Sequence, residues 1–225
     1  MQKNNNNNNF IPSLKSSELF AGISDEDIAQ MLVCFNAVRK KYNAGQTIYN
    51  AGEEINQIGI VLSGRLYMQI NDIMGNKSII RELVVGDILG ELYALSRDGR
   101  LIFDAVTNEE SELLFFDVDK VMTPCAKVCT RHLTTMKNLL TELAGKACNL
   151  DRKLCHMSMR TTREKIMSYL AEESRRQNNL TVKIPFNRQE LADYLCVERS
   201  AMSKELHRMK RDGLVDFTGN EFTIL

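Results

Sequence analysis

Short apolar runs separated by glycines dominate the first half of the chain, where eight of the twelve glycines lie between Gly45 and Gly99. Glycine adopts the positive-φ conformations that tight turns between antiparallel strands need. The runs predict six strands: Thr47–Tyr49, Gln57–Ser63, Arg65–Asn71, Lys77–Val84, Leu101–Thr107 and Glu112–Val118. Strands at this spacing indicate a small antiparallel barrel or sandwich. Before them, Ser24 stands where it would cap a helix, with Asp27 three residues later.

The hydrophobic pattern changes at Leu133, from which apolar residues recur at alternating spacings of three and four over 25 residues. This spacing defines a heptad seam along one helix: Leu133, Met136, Leu140, Leu143, Ala147, Leu150, Leu154 and Met157. A narrow unbroken stripe favours pairing with the same helix of a second chain, and packing on its own domain is the alternative. We therefore predict a parallel homodimer with its interface at Leu133, Met136, Leu140, Leu143, Ala147 and Leu150.

The helical pattern has two weak points. Gly145 lowers helix propensity, and the Thr161-Thr162 step starts a new helix with one of the two threonines as its N-cap. The last 65 residues are helical to Leu214 and end in a hairpin, Leu214–Phe217 and Glu221–Leu225, which turns at residues 218–220.

Two short helices before the hairpin have the spacing of a helix-turn-helix. Leu191, Ala192 and Leu195 give the first helix its buried face, and residues 196–198 form the turn. The second helix begins at about Arg199 and presents its first turns to base edges in the major groove. We expect DNA contacts from Arg188, Gln189, Arg199, Ser200, Ser203, Lys204 and His207.

Charge supports this prediction only locally, because 29 basic and 29 acidic residues cancel over the whole chain. From Arg199 to Arg211 there are five Lys or Arg and one Glu, a local charge of +4. A solvated charged helix is the alternative interpretation. Clustered positive charge beside a helix-turn-helix and a wing indicates double-stranded DNA as the partner.

The remaining composition limits the class of protein. No run of 18 apolar residues is present, so we expect no membrane span. The segment 1–14 begins with an asparagine run and predicts a disordered tail rather than a secretory signal, which favours the cytoplasm. Because the six cysteines form no compact disulfide framework, we expect reduced thiols.

No motif supports catalysis. The three histidines, His132, His156 and His207, lie on predicted helices without a nucleophile elbow, and no phosphate-binding glycine loop is present. We therefore predict that the chain is not an enzyme.

Several motifs resemble the cyclic-AMP receptor protein/fumarate–nitrate regulator family of bacterial transcription regulators. In the DNA-reading half these are residues 188–195 and 199–215, and in the first half they are Gly45 with Gly52-Glu53, residues 62–64, and residues 86–92. The likeness covers about residues 15–225. It implies an α+β fold: an N-terminal antiparallel β-roll like a cyclic-nucleotide-binding jelly roll, a long dimerisation helix, and a C-terminal winged helix-turn-helix.

The resemblance also implies boundaries and partners. A β-roll that senses a small-molecule effector would span residues 15–128, the dimerisation helix and hinge 129–158, and the DNA-binding domain 159–225. The implied partners are a near-palindromic DNA site and RNA polymerase. A regulatory module of a kinase or channel is the other class with such a roll, and the terminal wing argues against it.

The chain departs from the family in the reading helix and the effector pocket. Cys196 replaces the usual turn glycine, Ser200 the glutamate after Arg199, and Lys204 a later arginine. The resemblance places effector contacts at Gly90, Glu91, Leu92, Arg100, Leu150 and Asp151.

In relatives that bind cyclic AMP an Arg-Ser or Arg-Thr pair holds the phosphate, whereas here Leu101 and Ile102 stand at those positions and Arg100 is one residue early. The positions that should offer hydroxyls to adenine are Leu150 and Asp151. We predict an effector other than cyclic AMP, with an unfamiliar anion, an apolar metabolite or a purely structural core as alternatives.

A redox, haem or metal sensor of the same family is a further alternative. Cys125, Cys129 and His132 are spaced four and three apart, so on a continuous helix they would share a face and could hold a metal.

Overall fold

The computed structural model describes residues 10–71, 77–123 and 130–225, which fall into two compact units divided between Leu143 and Ala144.

The first unit is built on two four-stranded antiparallel sheets. The strands are β1 (Val38–Tyr42), β2 (Thr47–Tyr49), β3 (Gln57–Ser63), β4 (Leu66–Asn71), β5 (Lys77–Leu83), β6 (Ile88–Leu89), β7 (Asp104–Thr107) and β8 (Ser111–Asp117). Their order is β1-β8-β3-β6 in one sheet and β2-β7-β4-β5 in the other. This is the antiparallel roll that the resemblance implies, and its strands are short, as the glycine-punctuated pattern predicts.

The predicted strands are correct for β2 and β3 and close for four others, but two strands were missed. Strand β1 reads VRKKY, and its side chains are largely exposed, so it carries no alternating apolar signal. Among the described residues it pairs only with β8, from Val38 opposite Phe115 to Tyr42 opposite Ser111. Strand β6 has only two residues, too few for any periodicity.

The predicted strand Leu101–Thr107 is wrong over its first three residues. Leu101 bonds the loop beside β2 instead, since its amide donates to the carbonyl of Glu53 and its carbonyl accepts from the amide of Gly52. Leu101 and Phe103 are nevertheless buried. They belong to a cluster inside the roll with Ile55, Val61, Leu66, Leu83, Leu89, Ala105, Leu113 and Phe115.

Helices cover one side of the roll. They are α1 (Ile11–Lys15), a 3₁₀ turn (Glu18–Phe20), α2 (Asp25–Cys34), α3 (Glu91–Ala94), α4 (Val118–Met122) and the start of α5 (Thr130–Ser158). Ser24 caps α2 as predicted, since its hydroxyl accepts from the amide of Asp27 at 3.3 Å. The predicted tail 1–14 is wrong over its last residues: Phe10, Ile11 and Leu14 are buried in the helical side of the core. Residues 1–9 lie outside the described residues.

Helix α5 is continuous over 29 residues and crosses the boundary between the units. In the first unit its buried residues are His132, Thr135 and Leu139, which are not positions of the predicted seam. Asn138 donates to the carbonyls of Leu19 and Ala21 at 3.1 and 2.9 Å. One face of the helix is therefore already engaged within its own chain.

The second unit contains the end of α5, then α6 (Thr162–Gln177), β9 (Thr181–Lys183), α7 (Arg188–Tyr194), α8 (Arg199–Arg211), β10 (Val215–Thr218) and β11 (Glu221–Ile224). Thr161 caps α6 in a reciprocal capping box with Glu164, as the sequence predicts. The hairpin β10–β11 turns at the predicted place, and β9 adds a third strand that was not predicted. The core contains Ile166, Leu170, Leu191, Leu195, Met202, Leu206, Met209 and Phe222.

His156 joins the end of α5 to α6. Its ring is buried, with Nδ1 2.9 Å from the hydroxyl of Ser168 and Nε2 3.0 Å from the carboxylate of Glu172. Arg152, one turn earlier, also reaches Glu172 at 3.1 Å. The last turns of α5 are thus part of the folded unit that carries the helix-turn-helix.

Candidate nucleic-acid interface

Helices α7 and α8 form the predicted helix-turn-helix. Leu191, Ala192 and Leu195 are buried on the first helix, and Met202 and Leu206 are buried on the second. Ala192 has no exposed surface, which fits a small residue where two helices pack closely. The turn passes through Cys196, whose φ of +50° is the left-handed conformation usually adopted by glycine.

The exposed side of α8 forms a shallow basic groove. We call this the reading groove; its lining residues are Gln189, Glu198, Arg199, Ser200, Ser203, Lys204, His207, Arg208 and Arg211. Within the described residues Arg199, Lys204 and Arg211 form no ion pair within 4 Å, whereas Arg208 lies 3.4 Å from Glu205. Six of the seven predicted DNA contacts therefore line one surface, and four positive side chains surround it.

Glu198 is the residue of this groove that the sequence analysis placed only in the turn. It is the N-cap of α8: its carboxylate accepts from the amides of Ser200 at 2.8 Å and Ala201 at 2.7 Å, and from the hydroxyl of Ser200. The bond from the Ser200 hydroxyl, and then the two amides, hold the pKa of Glu198 below its usual value of 4.5. Its position immediately before the predicted helix start was the available signal.

Arg188 does not line this groove. Its guanidinium lies over the rings of Phe217 and Phe222, 4.7 and 4.5 Å from their centroids, and burial lowers its pKa. This stacking packs the start of α7 against the hairpin. Arg188 also lines a second cleft with Asn187, Gln189, Arg199, Phe217, Thr218, Gly219 and Asn220. The wing therefore lies beside the start of the reading helix.

Gln189 and His207 make bonds within their own helices. The amide of Gln189 donates to the side chain of Asn187 at 2.9 Å, and its side-chain amide donates to Asp193 at 2.8 Å. The N-cap side chain of Asn187 has therefore taken the backbone amide of Gln189, and that amide is not free to bind a phosphate. His207 Nδ1 lies 2.8 Å from the carbonyl of Ser203, and its ring meets Phe217 edge-on.

Ion pairs fix the middle and the C-terminal end of α8. Arg163 on α6 reaches Glu205 at 2.6 Å and Asp212 at 2.7 Å. Lys210 pairs with Asp216 on β10, and this bond lowers the pKa of Asp216. Lys210 therefore anchors the wing.

The predicted effector residues occupy both units. In the first, Gly90 (φ +88°) begins α3, Glu91 is buried and Leu92 is half exposed. The positive φ of Gly90 is a backbone conformation that is strained for residues with a Cβ, so this position favours glycine. Leu150 and Asp151 are exposed on the part of α5 that belongs to the second unit.

The positions that would hold a cyclic phosphate carry no donor into the roll. Leu101 points into the apolar cluster with 2% of its surface exposed, whereas Ile102 is 66% exposed. Arg100 is exposed and bonds outward, to the carbonyl of Gly52 at 3.3 Å and to Glu54 at 3.7 Å. Arg100 thus bonds outside the apolar cluster, although the resemblance places it among the effector contacts.

Seam residues on α5 are exposed within a single chain. The exposed fractions of Leu140, Leu150 and Leu154 are 57%, 61% and 65%, and that of Leu133 is 49%. Ala147 is exposed as well, and Met136 and Leu143 are half-buried, Leu143 against the core of the first unit.

The proposed metal or redox residues are only partly described. Cys125 and Cys129 lie outside the described residues. His132 is buried, with Nε2 3.3 Å from the carbonyl of Lys120 and its ring edge-on to Phe35. Cys34, Cys148, Cys155 and Cys196 are exposed free thiols. Over the ranges 10–71, 77–123 and 130–225, no three His, Cys, Asp or Glu side chains are grouped to hold a metal.

A search for helices long and apolar enough to cross a bilayer finds none among the described residues.

Comparisons with known proteins match both halves. A model of the cyclic nucleotide-binding domain matches residues 39–127, and a model of the Crp-like helix-turn-helix domain matches residues 164–225. The transcriptional activator protein FnrL of Cereibacter sphaeroides is 26% identical over 200 residues, which are 83% of this chain and 75% of FnrL.

Two solved structures show the same fold. The catabolite activator protein of Thermus thermophilus is 23% identical with a TM-score of 0.56, covering 93% of this chain and 94% of its own. The c-di-GMP responsive global regulator CLP of Xanthomonas campestris is 15% identical with a TM-score of 0.53, covering 88% of this chain and 97% of its own.

Proposed function

Because this chain belongs to the cyclic-AMP receptor protein/fumarate–nitrate regulator family, whose members are DNA-binding transcription regulators and not enzymes, we propose that it is a cytoplasmic homodimer that binds a near-palindromic operator in response to a small-molecule effector. RNA polymerase is the further partner that family membership implies. The Crp-like helix-turn-helix favours this function over that of a regulatory module without DNA binding.

The reading groove on α8 is the observation that carries the proposal. Arg199 and Lys204 are exposed at the start of the helix, where a recognition helix meets base edges, and neither forms an ion pair with another described residue. Both side chains suit guanine O6 and N7, while Ser203 can bond a base or a phosphate. Arg208 and Arg211, farther along the groove, would add phosphate contacts that do not depend on sequence.

Arg188, Gln189 and His207 take supporting roles in this proposal. Arg188 fixes the wing beside the groove through its two aromatic contacts. Gln189 has one side-chain proton left after its bond to Asp193 and lies at the rim of both clefts, so it would approach the DNA backbone with its side chain. His207 lines the groove one turn after Ser203.

Exposure of the seam favours the homodimer. Burying a leucine contributes on the order of 2 kcal/mol, and this chain leaves a leucine row on α5 in water. In a parallel pair in register, Lys146 precedes the seam position Ala147 and would face Asp151 of the second copy across the interface. These charges are opposite, which favours the parallel arrangement that a two-fold operator requires.

The effector we propose is not cyclic AMP. Leu101 fills the roll interior where a cyclic phosphate would need a charged donor and a hydroxyl, and Arg100 is bonded on the outside. An apolar metabolite fits this interior better, in proximity to Gly90, Glu91 and Leu92, and an anion of another shape is the alternative.

Sequence selection on random duplex DNA tests the DNA-reading proposal. Wild-type protein should select a near-palindromic motif, and Lys204→Ala should lose about 1–3 kcal/mol at one base position per half-site and flatten the preference there. Arg175→Ala removes an exposed charge on α6 outside the groove and should leave the motif unchanged. Absence of any selected motif for wild-type protein, or an unchanged motif for Lys204→Ala, would contradict the assignment.

A further inference from the structure

Glu198 is the only acid among the residues that line the reading groove, and it stands among cationic side chains. DNA presents phosphates and base edges to this surface. A carboxylate repels phosphates, so unless it bonds a base it weakens binding to any DNA. The directions of the hydrogen bonds around Glu198 determine which groups it can bind.

Ser200 has already used its only side-chain proton. Its hydroxyl donates to the Glu198 carboxylate, because an ionised carboxylate can only accept. The lowered pKa of Glu198 keeps it ionised at neutral pH. The Ser200 oxygen therefore presents lone pairs alone to the groove, in which it is exposed.

Glu198 also keeps accepting capacity. A carboxylate offers about four lone-pair positions, and the amides of Ser200 and Ala201 and the Ser200 hydroxyl occupy three. The Glu198 carboxylate thus offsets the partial positive charge at the N-terminus of α8, which removes the usual reason for a phosphate to bind there. The pair Glu198–Ser200 is a fixed group that accepts hydrogen bonds and donates none.

We infer that the Glu198–Ser200 pair is a specificity-determining subsite that binds the exocyclic amino group of a base in the major groove. Cytosine N4 and adenine N6 are the groups there that donate, whereas guanine and thymine present acceptors. Arg199 and Lys204, on either side of Ser200 in sequence, supply the complementary donors. The inference rests on the proposed DNA-reading function and assigns one base position within it.

Sequence selection with Glu198→Gln is the main test. The glutamine side chain can also donate, so the preference for cytosine or adenine at one position of each half-site should fall roughly 5- to 10-fold. Affinity for non-specific DNA should rise at the same time, because one negative charge leaves the groove. The matched control is Glu190→Gln, which removes the same charge from the capping box of α7, where glutamine also serves, and should leave the motif unchanged.

Duplexes with one amino group removed identify the base. A selected site in which that cytosine is replaced by 2-pyrimidinone, or that adenine by purine, lacks only the donor. Wild-type protein should lose roughly 5- to 10-fold in affinity on one of these duplexes, and Glu198→Gln should lose none. The duplex on which the loss appears tells cytosine from adenine.

Ser200→Ala keeps the amide bonds to Glu198, so it is the second variant if Glu198→Gln unfolds α8. Ser200→Ala should also reduce the preference for cytosine or adenine at that position of each half-site. A wild-type motif that both Glu198→Gln and Ser200→Ala select unchanged would overturn the inference while leaving the DNA-reading function intact. Wild-type protein without any motif would instead contradict the proposed function itself.

Discussion

Cys196 holds the turn between α7 and α8 in a backbone conformation that costs a residue with a Cβ about 1–2 kcal/mol. The turn is nevertheless closed normally: the amide of Cys196 donates to the carbonyl of Asp193, and that of Val197 to the carbonyl of Ala192. The strain therefore stays at one residue, two positions before the cap of the reading helix.

Replacing this cysteine by glycine should stabilise the protein. We expect Cys196→Gly to raise the free energy of unfolding by about 1 kcal/mol relative to Cys196→Ala, because both remove the thiol and only glycine relieves the positive φ. Urea denaturation of the full chain measures the difference. Equal stability of the two variants would mean that the turn is not strained at this position.

At the scale of an element, helix α5 has two different faces. One packs within its own chain, and the other exposes apolar side chains to solvent. Thr135 and Leu139 are buried in their own chain, while Leu140 and Leu150 are exposed at seam positions. The single heptad pattern included the exposed face and left out the face that packs within the chain. The two faces lie side by side, since Leu139 and Leu140 are neighbours in sequence.

The seam predicts the oligomeric state. Leu140→Glu would place two carboxylates against each other in the dimer interface, and we expect it to give monomers at low micromolar concentration by sedimentation. Cys148→Glu adds the same charge at an exposed position outside the seam and should remain dimeric. A dimeric Leu140→Glu protein would show that this helix is not the interface.

For the whole molecule, the numbers of positive and negative residues are equal, but the charges are unevenly distributed along the chain. Basic and acidic residues are equal at 29 each, while the segment 199–211 carries +4. Ion pairs to Glu205 and Asp216 hold Arg163 and Lys210 in structural roles, which leaves Arg199, Lys204 and Arg211 for a polyanion. Net charge alone therefore gave no indication of the partner.

The effector response is also a property of the whole chain, and cyclic AMP should not produce it. We expect calorimetry of the full-length protein to show no sub-micromolar binding of cyclic AMP or cyclic GMP, since Leu101 and Ile102 supply no phosphate partner. The variant Leu101→Arg should be measured beside the wild-type protein. A gain in its affinity for cyclic AMP would show where the phosphate binds. Tight binding by wild-type protein would mean that Arg100 turns inward to hold the phosphate.

The sequence by itself determined the features whose causes lie within one or two turns of chain. The caps at Ser24 and Thr161, the seam on α5, the buried face of α7 and the start of α8 all follow from spacings of three to four residues. The roll followed from glycines between short apolar runs. These signals are local because a helix or a tight turn closes its hydrogen bonds over only a few residues.

Only the tertiary structure decided the features that join distant segments. Strand β1 exists because β8 pairs with it more than seventy residues later, and its own cationic sequence gives no sign of that. Arg188 was expected to contact DNA, whereas in the structure its guanidinium packs on Phe217 and Phe222 of the wing. Glu198 became part of the reading groove because its carboxylate caps the helix that carries Ser200. Pairing partners, stacking and the direction of a hydrogen bond depend on which surfaces meet, and spacing along the chain does not record that.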